Sequence, residues 1–74
     1  MARILLVDDD YDIRELGRAL LSHAGHEIHT ADGAINALSV LRERQIDLLI
    51  TDASPPSELA KRLEAADVEI QIAG

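Results

Sequence analysis

Fully apolar runs, alternating stretches and stretches of helical period follow one another along this chain, and their order predicts its elements. Ile4-Leu5-Leu6-Val7 is apolar at every position and stops at Asp8-Asp9-Asp10. A run that is apolar on both sides predicts a central strand, buried on both faces. From about Tyr11 to Ala24 the period becomes helical. Ile13, Leu16 and Leu20 share a stripe, Leu21 and Ala24 widen it, and Arg14, Glu15 and Arg18 occupy the exposed face. Asp10 or a neighbouring aspartate supplies the helix cap, and Gly25 follows the last apolar residue, where a left-handed stop is needed. His26 to Ala31 alternates around Ile28 and predicts an edge-like strand, and Asp32-Gly33 predicts a turn.

A second helix runs to about Arg44, with Ile35, Leu38 and Leu41 on one face and Ala34 and Ala37 beside them. Leu48-Leu49-Ile50-Thr51 is a second central strand, again closed by an acid, Asp52. Ser54-Pro55-Pro56-Ser57 is a break. Ser57 then caps a short helix from Glu58 to Ala66 with Leu59 and Leu63 inward. Val68, Ile70 and Ile72 alternate with Glu69, Gln71 and Ala73, a strand with one polar face. The order βαβαβαβ, with connections of this length, predicts an α/β fold with a parallel sheet.

Composition narrows the function. The chain has 74 residues, one domain at most, and a single aromatic residue, so its core must be aliphatic. Its net charge of -7 repels phosphate backbones and anionic membrane surfaces, which disfavours nucleic acid and membrane as partners. Without cysteine there is no disulfide scaffold, thiolate zinc site or thiol nucleophile. No stretch approaches the roughly 20 apolar residues of a membrane span. Strand residues start at Arg3 and leave no room for a signal peptide, so a cytoplasmic location is expected. His23, His26 and His29 fall at the end away from the acids and read as solvated surface.

Ligands of open parallel sheets bind beyond the carboxyl ends of the strands. Asp8, Asp9 and Asp10 lie at that end of the first strand, and Asp52 lies at that end of the third. Three acids ahead of a helix would by themselves be caps. Asp52 is not explained that way, because Pro55 and Pro56 separate it from the next helix. If the two strands are neighbours, the acids converge, and a divalent cation is their natural occupant.

These residues carry a resemblance. Ile4-Leu5-Leu6-Val7-Asp8-Asp9-Asp10, Ile13-Arg14-Glu15-Leu16, Thr30-Ala31-Asp32-Gly33 and Asp47-Leu48-Leu49-Ile50-Thr51-Asp52 resemble a response-regulator receiver domain. The resemblance implies the flavodoxin-like (CheY-like) fold, here a receiver half lacking the last helix-strand-helix, with residues 1–74 forming one truncated unit. It implies two-component signalling, with Asp52 as phosphoacceptor, and a binding protein rather than an enzyme. Asp8 and Asp9 match the acidic pair that binds Mg²⁺, and the backbone carbonyl of Ser54 matches a third protein ligand. The partner implied is a sensor histidine kinase or phosphotransfer protein. Pro56 stands four residues past Asp52, where the family usually has proline.

The chain also departs from that pattern. The stretch after Pro56 is a few residues short and lacks a glycine. Ala73 stands where the family has Ser or Thr, and Lys61, the lone lysine, lies on the third helix. These departures define an alternative: a phosphorylation-independent pseudo-receiver that serves dimerisation or protein interaction. Asp8-x-Asp10 also resembles the motif of haloacid-dehalogenase-like phosphatases, but Asp12 stands where that group wants Thr or Val. With no fifth helix beside the first, and the fourth strand left as an edge, a homodimer is expected. It would form by antiparallel pairing of the Val68 to Ala73 strands or by exchange of the third helix and fourth strand.

Overall fold

The computed structural model describes residues 1–73. Its elements are β1 (Arg3–Val7), α1 (Tyr11–His23), β2 (Glu27–Ala31), α2 (Ala34–Glu43), β3 (Leu48–Thr51), α3 (Ser57–Ala65) and β4 (Glu69–Ile72). The sheet has the order β2-β1-β3-β4, and every neighbouring pair is parallel. β1 is therefore internal, and Ile4, Leu5, Leu6 and Val7 are all buried.

Side-chain alternation along β1 assigns the helices to faces. Leu5 and Val7 join Leu49, Ala37, Leu41, Leu59 and Leu63 in one core beneath α2 and α3. Leu6 points the other way, under α1, where a Cβ on Gly17 would collide with its side chain. Gly17 thus lets α1 lie close against β1.

That second face is thinly covered. No residue of α1 is buried, and Ile13, Leu16 and Leu20 are 47, 57 and 64% exposed. Periodicity predicts an inward stripe through these three. The side that faces the sheet instead runs through Arg14, Gly17 and Leu21, each half-buried. Beside α1, Leu48 and Ile50 of β3 are also half-buried, while Leu49 and Thr51 on the core face are fully buried.

Two more expectations shift. Ile35 is 85% exposed, and α2 packs through Ala34, Ala37, Leu38 and Leu41. Small alanines let that helix approach the sheet, and the stripe i, i+3, i+4, i+7 then excludes Ile35. At α3, Ser57 opens the helix rather than capping it; Pro56 is the N-cap and makes no side-chain capping bond. Gly25 takes φ +92 after α1, as expected, and Asp67 takes the same left-handed role after α3 with φ 58.

At the amino ends of the strands, Arg3 and Asp47 join β1 to β3. Asp47 accepts from the Arg3 backbone N–H at 2.8 Å and from both sides of its guanidinium at 3.1 Å. The side-chain hydrogen bond from Arg3, then its backbone N–H, hold the Asp47 carboxyl below the usual carboxylate range. A depressed carboxyl stabilises the fold above the unfolded pKa and loses that contribution as pH falls through the folded one. Asp47→Asn is therefore expected to lower the urea midpoint slightly at neutral pH. The two midpoints should converge as pH falls below about 4. Urea titrations at stepped pH test this, and a gap that widens toward acid would reject it.

Candidate functional site

Because β1 and β3 are adjacent, with Val7 in register with Thr51, the residues that follow them meet at the carboxyl end of the sheet. One carboxylate oxygen each from Asp8, Asp9 and Asp52 lies within 4.8 Å of the others. The convergence expected from the sequence is present. Asp10 does not join the group. Its carboxylate turns back to cap α1, accepting from the backbone N–H of Asp12 at 2.8 Å and of Ile13 at 3.3 Å.

Local hydrogen bonds fix the start of the cluster. The Asp8 backbone N–H donates to the Ala31 carbonyl of β2 at 3.1 Å. Its side chain accepts from the Asp10 N–H at 2.9 Å. Arg14 donates to the Asp8 carbonyl at 2.7 Å and lies 5.8 Å from the centroid of the Tyr11 ring. Sequence reasoning placed Arg14 on the solvent face and missed this brace. Its signal was only an arginine one turn into a helix that follows an acid cluster. Tyr11 is exposed, and its ring lies beside the arginine.

Asp9 and Asp52 are exposed, and Asp8 is half-buried. Each pair of carboxylates so close repels by on the order of 1 kcal/mol even in water, and by more where protein replaces solvent. A cation removes that cost. Mg²⁺ holds oxygens at about 2.1 Å, so opposed ligands lie about 4.2 Å apart. Three carboxylate oxygens within 4.8 Å of one another are hard donors of the kind that ion takes, so the donor set fits it.

Ser54 lies in the exposed loop two residues beyond Asp52. It lines an apolar cavity of about 210 Å³ with Val7, Thr51, Pro56 and Leu59. Val7 and Thr51 in its lining immediately precede Asp8 and Asp52 in the chain, and the cavity was not legible in the sequence. Ala73 donates its backbone N–H to the Thr51 carbonyl at 2.7 Å. It is therefore level with Asp52, yet it offers only a methyl group. Lys61 is an exposed residue of α3. His29 pairs with Glu27 at 3.0 Å, and His26 accepts from the Ala2 N–H at 3.0 Å. The histidines do not gather into a site.

Residues 4–72 match the family model of the response regulator receiver domain. The chain belongs to that family. This receiver is 36% identical over 76 residues to the response regulator receiver protein CpdR of Brucella abortus. That match takes in 97% of the chain but 63% of CpdR, so the receiver spans less than two thirds of that relative's length. It is also similar to the response regulator TrrA of Thermotoga maritima, solved in complex with Mg²⁺ and BeF. There the TM-score is 0.79 and the identity 36%, over 97% of this chain and 68% of that one. A second structure of TrrA, in complex with the histidine kinase ThkA, matches with a TM-score of 0.76 and 37% identity, over 95% of this chain and 66% of that one. The parallel sheet with its three helices is thus the CheY-like receiver fold. No described helix is long and apolar enough to cross a membrane.

Proposed function

We propose that residues 1–74 act as one receiver-like unit that binds Mg²⁺ weakly and accepts a phosphoryl group on Asp52. The observation that carries this reading is the meeting of Asp8, Asp9 and Asp52 within 4.8 Å at the ends of adjacent parallel strands. Asp8 and Asp9 would hold the ion together with Asp52 and the backbone carbonyl of Ser54. The ion would screen the repulsion between an anionic donor and the acids. The donor would be a phosphohistidine on a sensor histidine kinase or phosphotransfer protein, in the cytoplasm. An Asp52 oxygen forms the new bond to phosphorus, the phosphorus–nitrogen bond breaks, and the imidazole nitrogen keeps that electron pair. The product is an acyl phosphate on the protein itself, so the domain is a phosphoacceptor and turns nothing over. The Mg²⁺ complex of TrrA and its complex with ThkA support both the ion and the class of partner.

Amide-shift titration with Mg²⁺ tests the ion site. Residues 8–10 and 52–54 are expected to move first. Asp9→Ala and Asp52→Ala should each weaken the response roughly 10-fold or more, the cost of losing a charge-assisted contact. An unchanged Mg²⁺ response in both variants would show that the ion lies elsewhere. We also propose that the unit associates with itself.

A further inference from the structure

Arg14 sits next to a run of acids and pairs with none of them. Asp8, Asp9, Asp10 and Asp12 are its neighbours in the chain, yet no ion pair among the described residues involves it. Its guanidinium donates instead to the backbone carbonyl of Asp8 at 2.7 Å, with the Tyr11 ring beside it at 5.8 Å. Gly17 brings it there. That glycine, one turn further along the same side of α1, lets the helix close on β1, and the half-buried Arg14 reaches the carboxyl end of the strand.

The bond acts on Asp9. The Asp8 carbonyl and the Asp9 N–H belong to one rigid peptide plane. On its other side, Asp8 is tied by its N–H to the Ala31 carbonyl of β2 at 3.1 Å. Both peptides that flank Asp8 are thus held, one to the sheet and one to α1. The second sets the direction in which the exposed Asp9 side chain leaves the backbone. A carboxylate partner for Arg14 would have occupied a cation ligand, whereas a carbonyl partner leaves the carboxylates open.

We propose that Arg14 is a positioning residue that gives the cation site its size selectivity, favouring Mg²⁺ over Ca²⁺. Mg²⁺ demands near-ideal octahedral geometry at about 2.1 Å, whereas Ca²⁺ accepts about six to eight oxygens at roughly 2.3–2.6 Å in flexible arrangements. Freeing the ligand loop therefore costs Mg²⁺ more than Ca²⁺. Removing the arginine also removes a positive charge, which by itself favours any divalent cation. Both ions carry the same charge, so that contribution largely cancels in the ratio of their affinities. This role rests on the reading of Asp8, Asp9 and Asp52 as an Mg²⁺ site and is separable from it by experiment.

Amide-shift titrations of the whole chain with Mg²⁺ and with Ca²⁺ give the ratio. Arg14→Gln and Arg14→Met keep good helix formers at the position and cannot make the charged bond. In each, the preference for Mg²⁺ is expected to fall roughly 5-fold. Losing an outer-shell partner of a metal ligand costs about 10- to 100-fold in affinity, and Ca²⁺ shares part of that loss. Arg18→Met removes the same charge from the same helix, where the arginine bonds Glu15 and Thr30, and should leave the ratio unchanged. In the metal-free wild type, the heteronuclear NOE of the Asp9 N–H should match those of the α1 amides, and it should drop in the Arg14 variants. A wild-type chain whose residues 8–10 and 52–54 ignore Mg²⁺ would overturn the site assignment and this role together. A wild-type response with the ratio unchanged in the Arg14 variants, or lowered equally by Arg18→Met, would overturn the role alone. So would a mobile Asp9 amide in the wild type.

Discussion

Incubated with acetyl phosphate and Mg²⁺, the wild-type receiver is expected to gain the mass of one phosphoryl group slowly and incompletely, and Asp52→Asn to gain none. The amide nitrogen of asparagine has no free electron pair to offer phosphorus, and its oxygen is a far weaker nucleophile than a carboxylate. The replacement also removes one charge from the group of three acids that lie within 4.8 Å of one another. Slow gain in the wild type follows from what surrounds Asp52. Ala73, whose backbone is tied to Thr51 at the level of Asp52, brings no hydroxyl. A hydrogen bond to a charged group contributes about 1.5–3 kcal/mol, or roughly 10- to 100-fold in the equilibrium it acts on. Ala73→Thr is therefore expected to raise the phosphorylated fraction. Intact-mass time courses on the three proteins decide the matter. Mass gain in Asp52→Asn equal to wild type would move the acceptor to another residue. Fast, stoichiometric gain in the wild type would show that the hydroxyl is not needed.

Leu49→Ala is expected to leave the domain largely unfolded near room temperature or barely above its midpoint. Leu49 is fully buried at the centre of the sheet, in register with Leu5 of β1 and Ile70 of β4. Leu→Ala at such sites costs about 3–5 kcal/mol, from lost transfer energy and from the cavity left behind. A domain of this size has roughly 4–11 kcal/mol in total. Thermal melts should show Tm lower by roughly 15 °C or more, since about 1 kcal/mol moves a domain of this size by 4–8 °C. Ile35→Ala is the matched control. At 85% exposure its loss should stay within about 0.5 kcal/mol. Equal drops in the two variants would mean that α2 packs through the face the sequence suggests rather than the one observed.

The paired expectations for Leu49 and Ile35 mark where sequence patterning succeeds and where it stops. A run such as Leu48 to Thr51 is legible because backbone alternation leaves a fully apolar segment few options other than an interior strand. The acid that ends each such run is legible for the same reason: a charge cannot continue into the core. In this way Asp8, Asp9 and Asp52 stood out one by one. Arg14 did not, because a long cation on an amphipathic helix reads as solvent-facing until the loop that needs its hydrogen bonds is in place.

By itself the sequence determined the order of elements, the aliphatic core of β1 and β3, the stop at Gly25 and the chemical type of the candidate site. Tertiary structure alone decided that β1 and β3 are neighbours, and that adjacency turns separate aspartates into a group spanning less than 5 Å. It alone chose which side of each helix is inside. The close approach allowed by Gly17 rotates α1 so that Arg14, Gly17 and Leu21 face the sheet, and the alanines of α2 do the same at the expense of Ile35. Periodicity reports that a helix has an apolar side. What covers that side depends on how near the helix comes to the sheet and on what lies beside it, and these are set by contacts between residues far apart in the chain.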